Sequence, residues 1–206
     1  MMSIGAAENI IVRDNILISN DSSGISSYIS IVDANKPSRN INITDNTFVA
    51  RNSQYTGNKF EMSGLINVFS NVTKVSNPFT YTNHQSINIS NNIFYIYGES
   101  YGSRFFYVNN INEVLPQVKS DNNLFFVSKG TSDGEFFQIG DAASDTPTAQ
   151  YLTLQQWQTA NSQDTSSIYA DPEFVNLLGT DGAFSGFGYD ADLRLIKANG
   201  KGAFSD

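Results

Sequence analysis

The sequence predicts an all-β solenoid in which short strands stack coil upon coil around one elongated apolar core. Three observations support this prediction. Aromatic residues are abundant (13%) and charged residues are scarce (16%). A strand-turn-strand pattern of eight residues occurs four times, and a third strand pattern falls between successive copies. A unit of three strands cannot bury its own apolar face, so each unit has to stack on the next.

The composition excludes several classes of protein. The 206 residues include the aromatic and β-branched side chains that disordered chains lack. Charged residues fall below the roughly 25% of an average domain, which leaves too few for long amphipathic helices. The net charge of -8 argues against a nucleic-acid partner, and no apolar run reaches the roughly 18 residues of a membrane span. Cysteine is absent, which excludes disulfides and thiolate metal sites.

The first three copies of the repeat contain two alternating apolar residues, a polar turn and a short apolar strand, and in the fourth Ser120 replaces the second of these apolar residues. They span residues 10–17, 41–48, 87–94 and 118–125. Their sixth residue is always asparagine, namely Asn15, Asn46, Asn92 and Asn123. The copies lie 31, 46 and 31 residues apart, so one unit carries an insertion of 15 residues, which maps approximately onto residues 71–84.

The invariant asparagine predicts both a bend and a ladder. A sharp turn between two strands needs one residue with positive φ, which asparagine tolerates better than any residue except glycine. Stacked one coil apart, at about 4.8 Å, the asparagine side chains can hydrogen-bond along the stack. Asparagine is common in the turns of any β protein, but four copies in register favour the ladder.

The strand pattern between the copies alternates large apolar and polar residues, which is typical of a strand with one buried face. It covers residues 29–31, 66–68, 106–108 and 137–139. We expect its polar members to line up on an outward face, which either binds a ligand or simply meets solvent. These members are Ser30, Asn67, Tyr107 and Gln138.

The pattern apolar-x-apolar-x-x-Asn-x-Phe resembles the right-handed parallel β-helix superfamily of pectate lyases and related polysaccharide-active proteins. The C-terminal third is similar to the closing part of secreted bacterial members, at residues 154–157, 164–168, 171–175 and 192–195. The resemblance implies that a short helix around Trp157 packs beside the last coils. The segment that begins Asp171-Pro172 would supply another coil strand, and a strand over 192–195 would follow.

The resemblance covers about residues 8–203 and implies a single-stranded, right-handed parallel β-helix of about five coils with one short capping helix. After Leu195 the sequence departs from the family, which commonly continues with Ser-Pro-Ala. We expect residues 1–206 to form one domain, with coils over 8–150 and a closing coil and capping segment over 151–206.

A stack of this kind would offer a groove that loops wall in, and extended polysaccharides fit such grooves. Three loops, at 52–63, 71–84 and 97–104, would emerge from neighbouring coils on one side. Aromatic rings can stack on sugars and polar side chains can bond hydroxyl groups, although loop aromatics also pack down over outer sheets. The candidate substrate-binding residues are Tyr55, Glu61, Tyr81, His84, Glu99, Tyr101 and Tyr107.

The sequence does not decide whether this chain is an enzyme. A lyase that acts on a uronate polymer needs a base and a positive charge for the anion that forms. The resemblance implies Arg or Lys as the base and Ca²⁺ as the charge, so Arg104 and Lys59 are the candidate catalytic residues. No acidic cluster accompanies them, because Glu61 and Glu99 stand alone. The residues therefore predict no metal site, and Ca²⁺ rests on the resemblance.

The predicted function is that of a carbohydrate-associated domain that binds or processes an extracellular polysaccharide. If the domain is an enzyme, we expect a pectate-lyase-like polysaccharide lyase. The scarcity of positive charge favours a neutral glycan or no ligand at all. The alternative is a non-catalytic structural module, as in adhesins or phage tails. We expect a secreted or cell-surface location, although residues 1–5 do not resemble a signal peptide. The first coil, near Asn9, predicts an open edge that self-associates or meets a preceding segment.

Overall fold

The computed structural model is mostly β and contains stacked parallel sheets, which confirms the predicted strand-rich class. This arrangement is compatible with a parallel β-helix. The parallel strands follow one another through three sheets in turn, and we call each set of three consecutive strands a rung. The residues that the structure describes are 2–19, 28–32, 37–52, 64–69, 84–98, 104–109, 114–130, 134–140, 149–180 and 191–196.

The three sheets, named A, B and C, are built from every third strand. Sheet A contains β1 (Met2–Gly5), β4 (Ile29–Val32), β7 (Gly64–Phe69), β10 (Arg104–Val108) and β13 (Phe137–Ile139), with β14 (Gln150–Leu152) antiparallel at its end. Sheet B contains β2 (Glu8–Arg13), β5 (Arg39–Thr44), β8 (Gln85–Ser90) and β11 (Val118–Asp121). Sheet C contains β3 (Ile16–Ser19), β6 (Thr47–Asn52), β9 (Ile93–Gly98), β12 (Leu124–Val127) and β15 (Ile168–Tyr169). A short 3-10 helix, Leu115–Gln117, precedes β11.

The inward side chains of all three sheets meet in one apolar core. Because the strands pair in register, equivalent residues of the repeat lie above one another. Phe48, Phe94 and Phe125 are stacked in this way, with ring centroids 4.9 and 5.2 Å apart. The predicted helix around Trp157 is confirmed as α1 (Leu154–Asn161), and the Trp157 ring stacks on Phe137 at 5.0 Å.

At the bend between sheets B and C, the residue with positive φ is the fifth residue of the repeat, one position before the predicted asparagine. The residues with positive φ are Asp14, Asp45, Asn91 and Asn122, at 57° or 58°. The prediction that the sixth residue of the repeat takes this conformation is therefore wrong. Short side chains of Asp and Asn both tolerate a left-handed backbone, so the fifth residue can make the bend. The following asparagine is then free to point into the stack.

These inward asparagines form the predicted ladder. Asn15 Nδ2 donates to Asn46 Oδ1 at 3.0 Å, Asn46 Nδ2 donates to Asn92 Oδ1 at 3.0 Å, and Asn92 Nδ2 donates to Asn123 Oδ1 at 3.2 Å. Backbone groups of the bend join the same network. Asn92 Nδ2 also donates to the carbonyls of Ile43 and Ser90, both at 2.9 Å. The backbone N–H of Asn46 donates to Asn92 Oδ1 at 3.0 Å, so polar groups at this buried corner have partners.

Asp164 ends the ladder and ties it to the capping helix. Its Oδ1 accepts hydrogen bonds from Asn123 Nδ2 at 3.0 Å and from Ser167 Oγ at 2.6 Å. Its Oδ2 accepts from Trp157 Nε1 at 2.8 Å. An ionised carboxylate only accepts, so it can end a column of amide donors from one side and receive the indole from the other. The side chain of Thr153 caps the start of α1.

Two C-terminal strands cover the outside of sheet C. β16 (Phe174–Asn176) pairs antiparallel with β17 (Asp192–Leu195), so the expectation of another coil strand after Asp171-Pro172 is wrong. The Phe174 ring lies 5.4 Å from Tyr95, and Leu193 packs in the same apolar cluster. The last parallel strand of sheet C is β15, which pairs with β12.

Replacing Asn92 by leucine tests the ladder. Leucine would remove the amide and leave buried groups of the bend without partners, including the backbone N–H of Asn46. Each buried polar group that loses its partner costs about 1–3 kcal/mol. We expect Asn92→Leu to lower the free energy of unfolding by at least about 2 kcal/mol, measured by urea denaturation.

The matched control is Asn88→Leu on the outer face of sheet B. Asn88 is only partly buried, and its amide donates to Asn42 Oδ1 at 2.9 Å. A surface substitution of this kind usually changes stability by no more than about 0.5 kcal/mol. Similar losses in both variants would contradict a special role for the inward asparagines.

Candidate functional site

The outer face of sheet A is covered. The four residues expected to form an open polar face are all buried, namely Ser30, Asn67, Tyr107 and Gln138. Asn67 Oδ1 accepts a hydrogen bond from the Gly64 backbone at 2.8 Å, and the Tyr107 ring meets Phe69 edge to face at 4.9 Å. The expectation of an open ligand-binding ladder on this sheet is therefore corrected.

The outer face of sheet C is covered as well. Val49, Ile93, Tyr95 and Leu124 lie on it, beneath the cluster that includes Leu193 of β17. Burial raises the pKa of Tyr95 to about 12, with a smaller contribution from the charge of Asp171. This side of the stack is a second apolar core rather than a ligand surface.

Sheet B has an open outer face, where a groove of about 690 Å³ lies across three rungs. In-register strands place the floor residues in two columns. One column contains Asn42, Asn88 and Lys119, and the other contains Thr44, Ser90 and Asp121. The last residue of α1 and the segment that follows it border the groove, namely Asn161, Ser162, Gln163 and Thr165.

The floor presents amide and hydroxyl groups at regular intervals, because neighbouring strands lie about 4.8 Å apart. Asn88 Nδ2 donates to Asn42 Oδ1 at 2.9 Å, which orders the two amides. Both side chains are partly exposed, and Lys119 is exposed. The arrangement can therefore form hydrogen bonds with hydroxyl groups of a ligand that extends along the stack.

Gln163 fixes the border of the groove. Its Oε1 accepts from the Ser120 backbone N–H at 2.7 Å, and its Nε2 donates to the Val118 carbonyl at 2.8 Å. The glutamine amide thus satisfies the edge of β11 as a further strand would. Asp121 Oδ1 accepts from the Ser166 backbone at 2.7 Å, so one floor residue is held by the same segment.

The sequence prediction missed this floor, although a signal was present. The floor residues occupy the second and fourth positions of the repeat, the polar members of its alternating strand. Period-two alternation places those members on the face opposite the core. The sequence analysis instead placed most candidate binding residues in loops that contain aromatic side chains.

Arg104, a candidate catalytic base, lies at the start of β10 in sheet A and does not line the groove. Its guanidinium carbon lies 4.8 Å from the centroid of the Tyr151 ring, within the range of cation–π contact. Burial lowers the pKa of Arg104, while Tyr151 and Glu135 act in the opposite direction. The structure therefore brings Arg104 together with an aromatic ring, and separates it from the sheet B floor.

His84, a candidate substrate-binding residue, is buried and links two segments of backbone. Its Nδ1 accepts a hydrogen bond from the Ser38 N–H at 3.0 Å. Its Nε2 lies 2.8 Å from the Phe69 carbonyl, to which it donates when Nδ1 is the acceptor. Both ring nitrogens therefore have backbone partners, and the side chain does not face an open surface.

The remaining predicted site residues lie outside the described residues. They are Tyr55, Lys59, Glu61, Tyr81, Glu99 and Tyr101. Most of the 71–84 insertion lies outside them too.

Within the described ranges, no three His, Cys, Asp or Glu side chains come together as a metal site would require. No described helix is long and apolar enough to cross a membrane.

Comparisons of the chain with protein-family models, with curated proteins and with solved structures found no match.

Asp164 is a buried ionisable group away from the groove floor. Burial raises its pKa, and hydrogen bonds from Ser167, Asn123, Ser120 and Trp157 partly oppose that shift. The side chain is fully buried, and its bonds are those that end the asparagine ladder. We therefore assign Asp164 to the stability of the capped end rather than to chemistry.

The pKa shift of Asp164 predicts a pH dependence of stability. A raised pKa means that the folded protein binds this proton more tightly than the unfolded chain does. The resulting stabilisation is present below the ordinary carboxyl pKa of about 4 and is lost as pH rises through the raised folded pKa. We expect the unfolding free energy of the wild type, relative to Asp164→Asn, to increase as pH falls from about 7 to about 4. Urea denaturation at each pH measures this difference, and a constant or decreasing difference would contradict the assignment.

Proposed function

We propose that this protein is a right-handed parallel β-helix whose sheet B face binds an extended, neutral polysaccharide. The observation that carries the proposal is the open groove on sheet B, since sheets A and C are covered where the structure describes them. The resemblance of the repeat to polysaccharide-active β-helix proteins supports the same class of ligand. It also supports a secreted or cell-surface location.

An extended ligand fits the direction of the groove. Asn42, Asn88 and Lys119 come from three consecutive rungs, so the floor runs along the stack. A polymer with hydroxyl groups at repeated intervals can bond to several rungs at once. Individual hydrogen bonds contribute only about 0.5–1.5 kcal/mol, so contact with several rungs is what would give useful affinity.

The charges of the floor favour a neutral polymer. Lys119 and Asp121 are the charged residues among those that line the groove, and their charges balance. A polyuronate carries a carboxylate on every sugar, which one lysine beside one aspartate would not neutralise. Asparagine, serine and threonine supply the other polar groups of the floor, and these suit sugar hydroxyl groups.

Binding fits the described groove better than catalysis. Hydrolysis of a glycosidic bond uses two carboxyl groups about 5–10 Å apart, whereas the described lining includes Asp121 as its one carboxylate. Lyase chemistry needs both a base and a cation at the sugar, whereas the described lining includes Lys119 as its one basic residue and Arg104 belongs to sheet A. We therefore propose a binding role and keep lyase activity as the competing outcome of the test.

A panel of soluble polysaccharides tests the proposal by affinity electrophoresis and calorimetry. The panel contains neutral glucans, mannans, xylans and galactans, with pectate and alginate as charged counterparts. We expect a neutral polymer to bind, and Asn88→Ala to weaken its binding by about 3- to 10-fold. That range corresponds to the loss of one net hydrogen bond.

Two lysine variants supply the matched control. Lys119→Ala removes a charge from the groove floor and should weaken binding. Lys129→Ala removes the same charge from another exposed position and should not. The proposal fails if no neutral polymer binds, or if both lysine variants behave alike. Rising absorbance from unsaturated product, with pectate or alginate and Ca²⁺ present, would replace it with a lyase function.

A further inference from the structure

We propose that the groove on sheet B holds the end of a polysaccharide chain rather than its interior. This inference rests on the proposed function and adds which part of the polymer is bound. Among the described residues that line the groove, those outside sheet B all lie beyond β11, at one end of the floor. We call these four residues the end wall, and they are Asn161, Ser162, Gln163 and Thr165.

The end wall lies where the next rung of sheet B would begin. β11 pairs with β8 on one side, and the segment after α1 bonds to backbone groups on its other side. Gln163 Oε1 accepts from the Ser120 N–H, and the Ser120 carbonyl accepts from the Asp164 N–H at 2.6 Å. Trp157 of α1 covers the core at the same end of the stack. A polymer that follows the floor along the stack therefore meets the end wall after β11.

The end wall is held in place from two sides. Toward β11, the Ser166 N–H donates to Asp121 Oδ1 at 2.7 Å. Toward α1, Gln158 Nε2 donates to the Asp164 carbonyl at 2.7 Å, and the Asp164 side chain is fully buried. A wall that is ordered before the ligand arrives adds little ordering cost to binding. The bound polymer therefore ends at this wall instead of displacing it.

The sheet continues past the groove at the opposite end of the floor. β5 pairs with β2, so Ile11 follows Asn42 in one column and Arg13 follows Thr44 in the other. Ile11 and Arg13 are exposed and are not among the residues that line the groove. The remainder of a long polymer therefore leaves the groove over β2, while its terminal sugar lies against the end wall.

The size of the groove suits a short piece of polymer. Its volume of about 690 Å³ lies within the roughly 300–1,000 Å³ of sites for small ligands. An extended sugar unit is about as long as the spacing of about 4.8 Å between rungs, so three rungs hold about three sugars. Sugars farther along the chain lie outside the groove and contribute little affinity.

The chemistry of the floor changes at the closed end. The rungs of β5 and β8 contribute amides and hydroxyl groups, whereas Lys119 and Asp121 of β11 lie beside the end wall. Ser162 and Thr165 are exposed and add hydroxyl groups there. A terminal sugar carries a free hydroxyl group where an inner sugar has its glycosidic bond. Hydrogen bonds with charged groups are stronger than those between neutral groups, so the closed end is suited to this additional hydroxyl group.

The number of protein molecules bound per polymer chain tests the inference. Linear xylo-, manno-, cello- and malto-oligosaccharides of increasing length are titrated by calorimetry, and short-chain and long-chain fractions of xylan, mannan and soluble glucan are examined by sedimentation velocity. We expect affinity to rise up to about three sugars and then to level off. We expect each polymer chain to bind one protein molecule whatever its length.

Two threonine variants supply the matched control. Thr165→Ala changes the end wall, and Thr159→Ala changes an exposed residue of α1 that is not part of the groove lining. Thr165→Ala should weaken binding of a trisaccharide and of a long polymer by the same factor, about 3- to 10-fold, and Thr159→Ala should weaken neither. Protein bound in proportion to chain length, or long-polymer binding that Thr165→Ala leaves unchanged, would overturn the inference and leave polysaccharide binding by sheet B intact. Absence of binding to every oligosaccharide and polymer would overturn the proposed function and this inference together.

Discussion

The column of buried side-chain amides, Asn46, Asn92 and Asn123, is the interaction on which the rest of the structure depends. The bend between sheets B and C leaves backbone N–H and carbonyl groups inside an apolar corner, where each would cost about 1–3 kcal/mol without a partner. Asn92 bonds to the carbonyl of Ser90 in its own rung and to that of Ile43 in the preceding rung. Because one amide serves two rungs, the column holds neighbouring strands in register.

That register also builds the outer surfaces. Equivalent residues of the repeat lie above one another, so each outward position becomes a column of side chains. On sheet C the column with Val49 and Tyr95 is apolar, and Leu193 packs against it. On sheet B the column with Asn42 and Asn88 is polar and stays open. The proposed ligand groove is thus the outer counterpart of the same stacking that orders the core.

Sequence reasoning succeeded where the pattern is local. Repeat spacing and alternation sufficed for the stacked strands, whereas α1 was expected from the resemblance of the segment around Trp157 to the closing part of β-helix proteins. The positive φ was misplaced by one residue, because the repeat's adjacent turn residues, as in Asp45-Asn46, both suit a bend. The role of His84 depends on backbone of Ser38 and Phe69, which are distant in the sequence. The groove likewise depends on where the segment after α1 meets β11, which no local pattern encodes.

Hydrogen exchange of side-chain amides, followed by NMR in the folded protein, tests the asparagine column most directly. We predict that the Nδ2 protons of Asn46, Asn92 and Asn123 exchange as slowly as backbone amides of the core strands, because these side chains are fully buried. Each also donates from Nδ2 to at least two oxygens. The Nδ2 protons of the partly exposed Asn88 should exchange much faster. Exchange at Asn46, Asn92 and Asn123 as fast as at Asn88 would contradict the central role of the column.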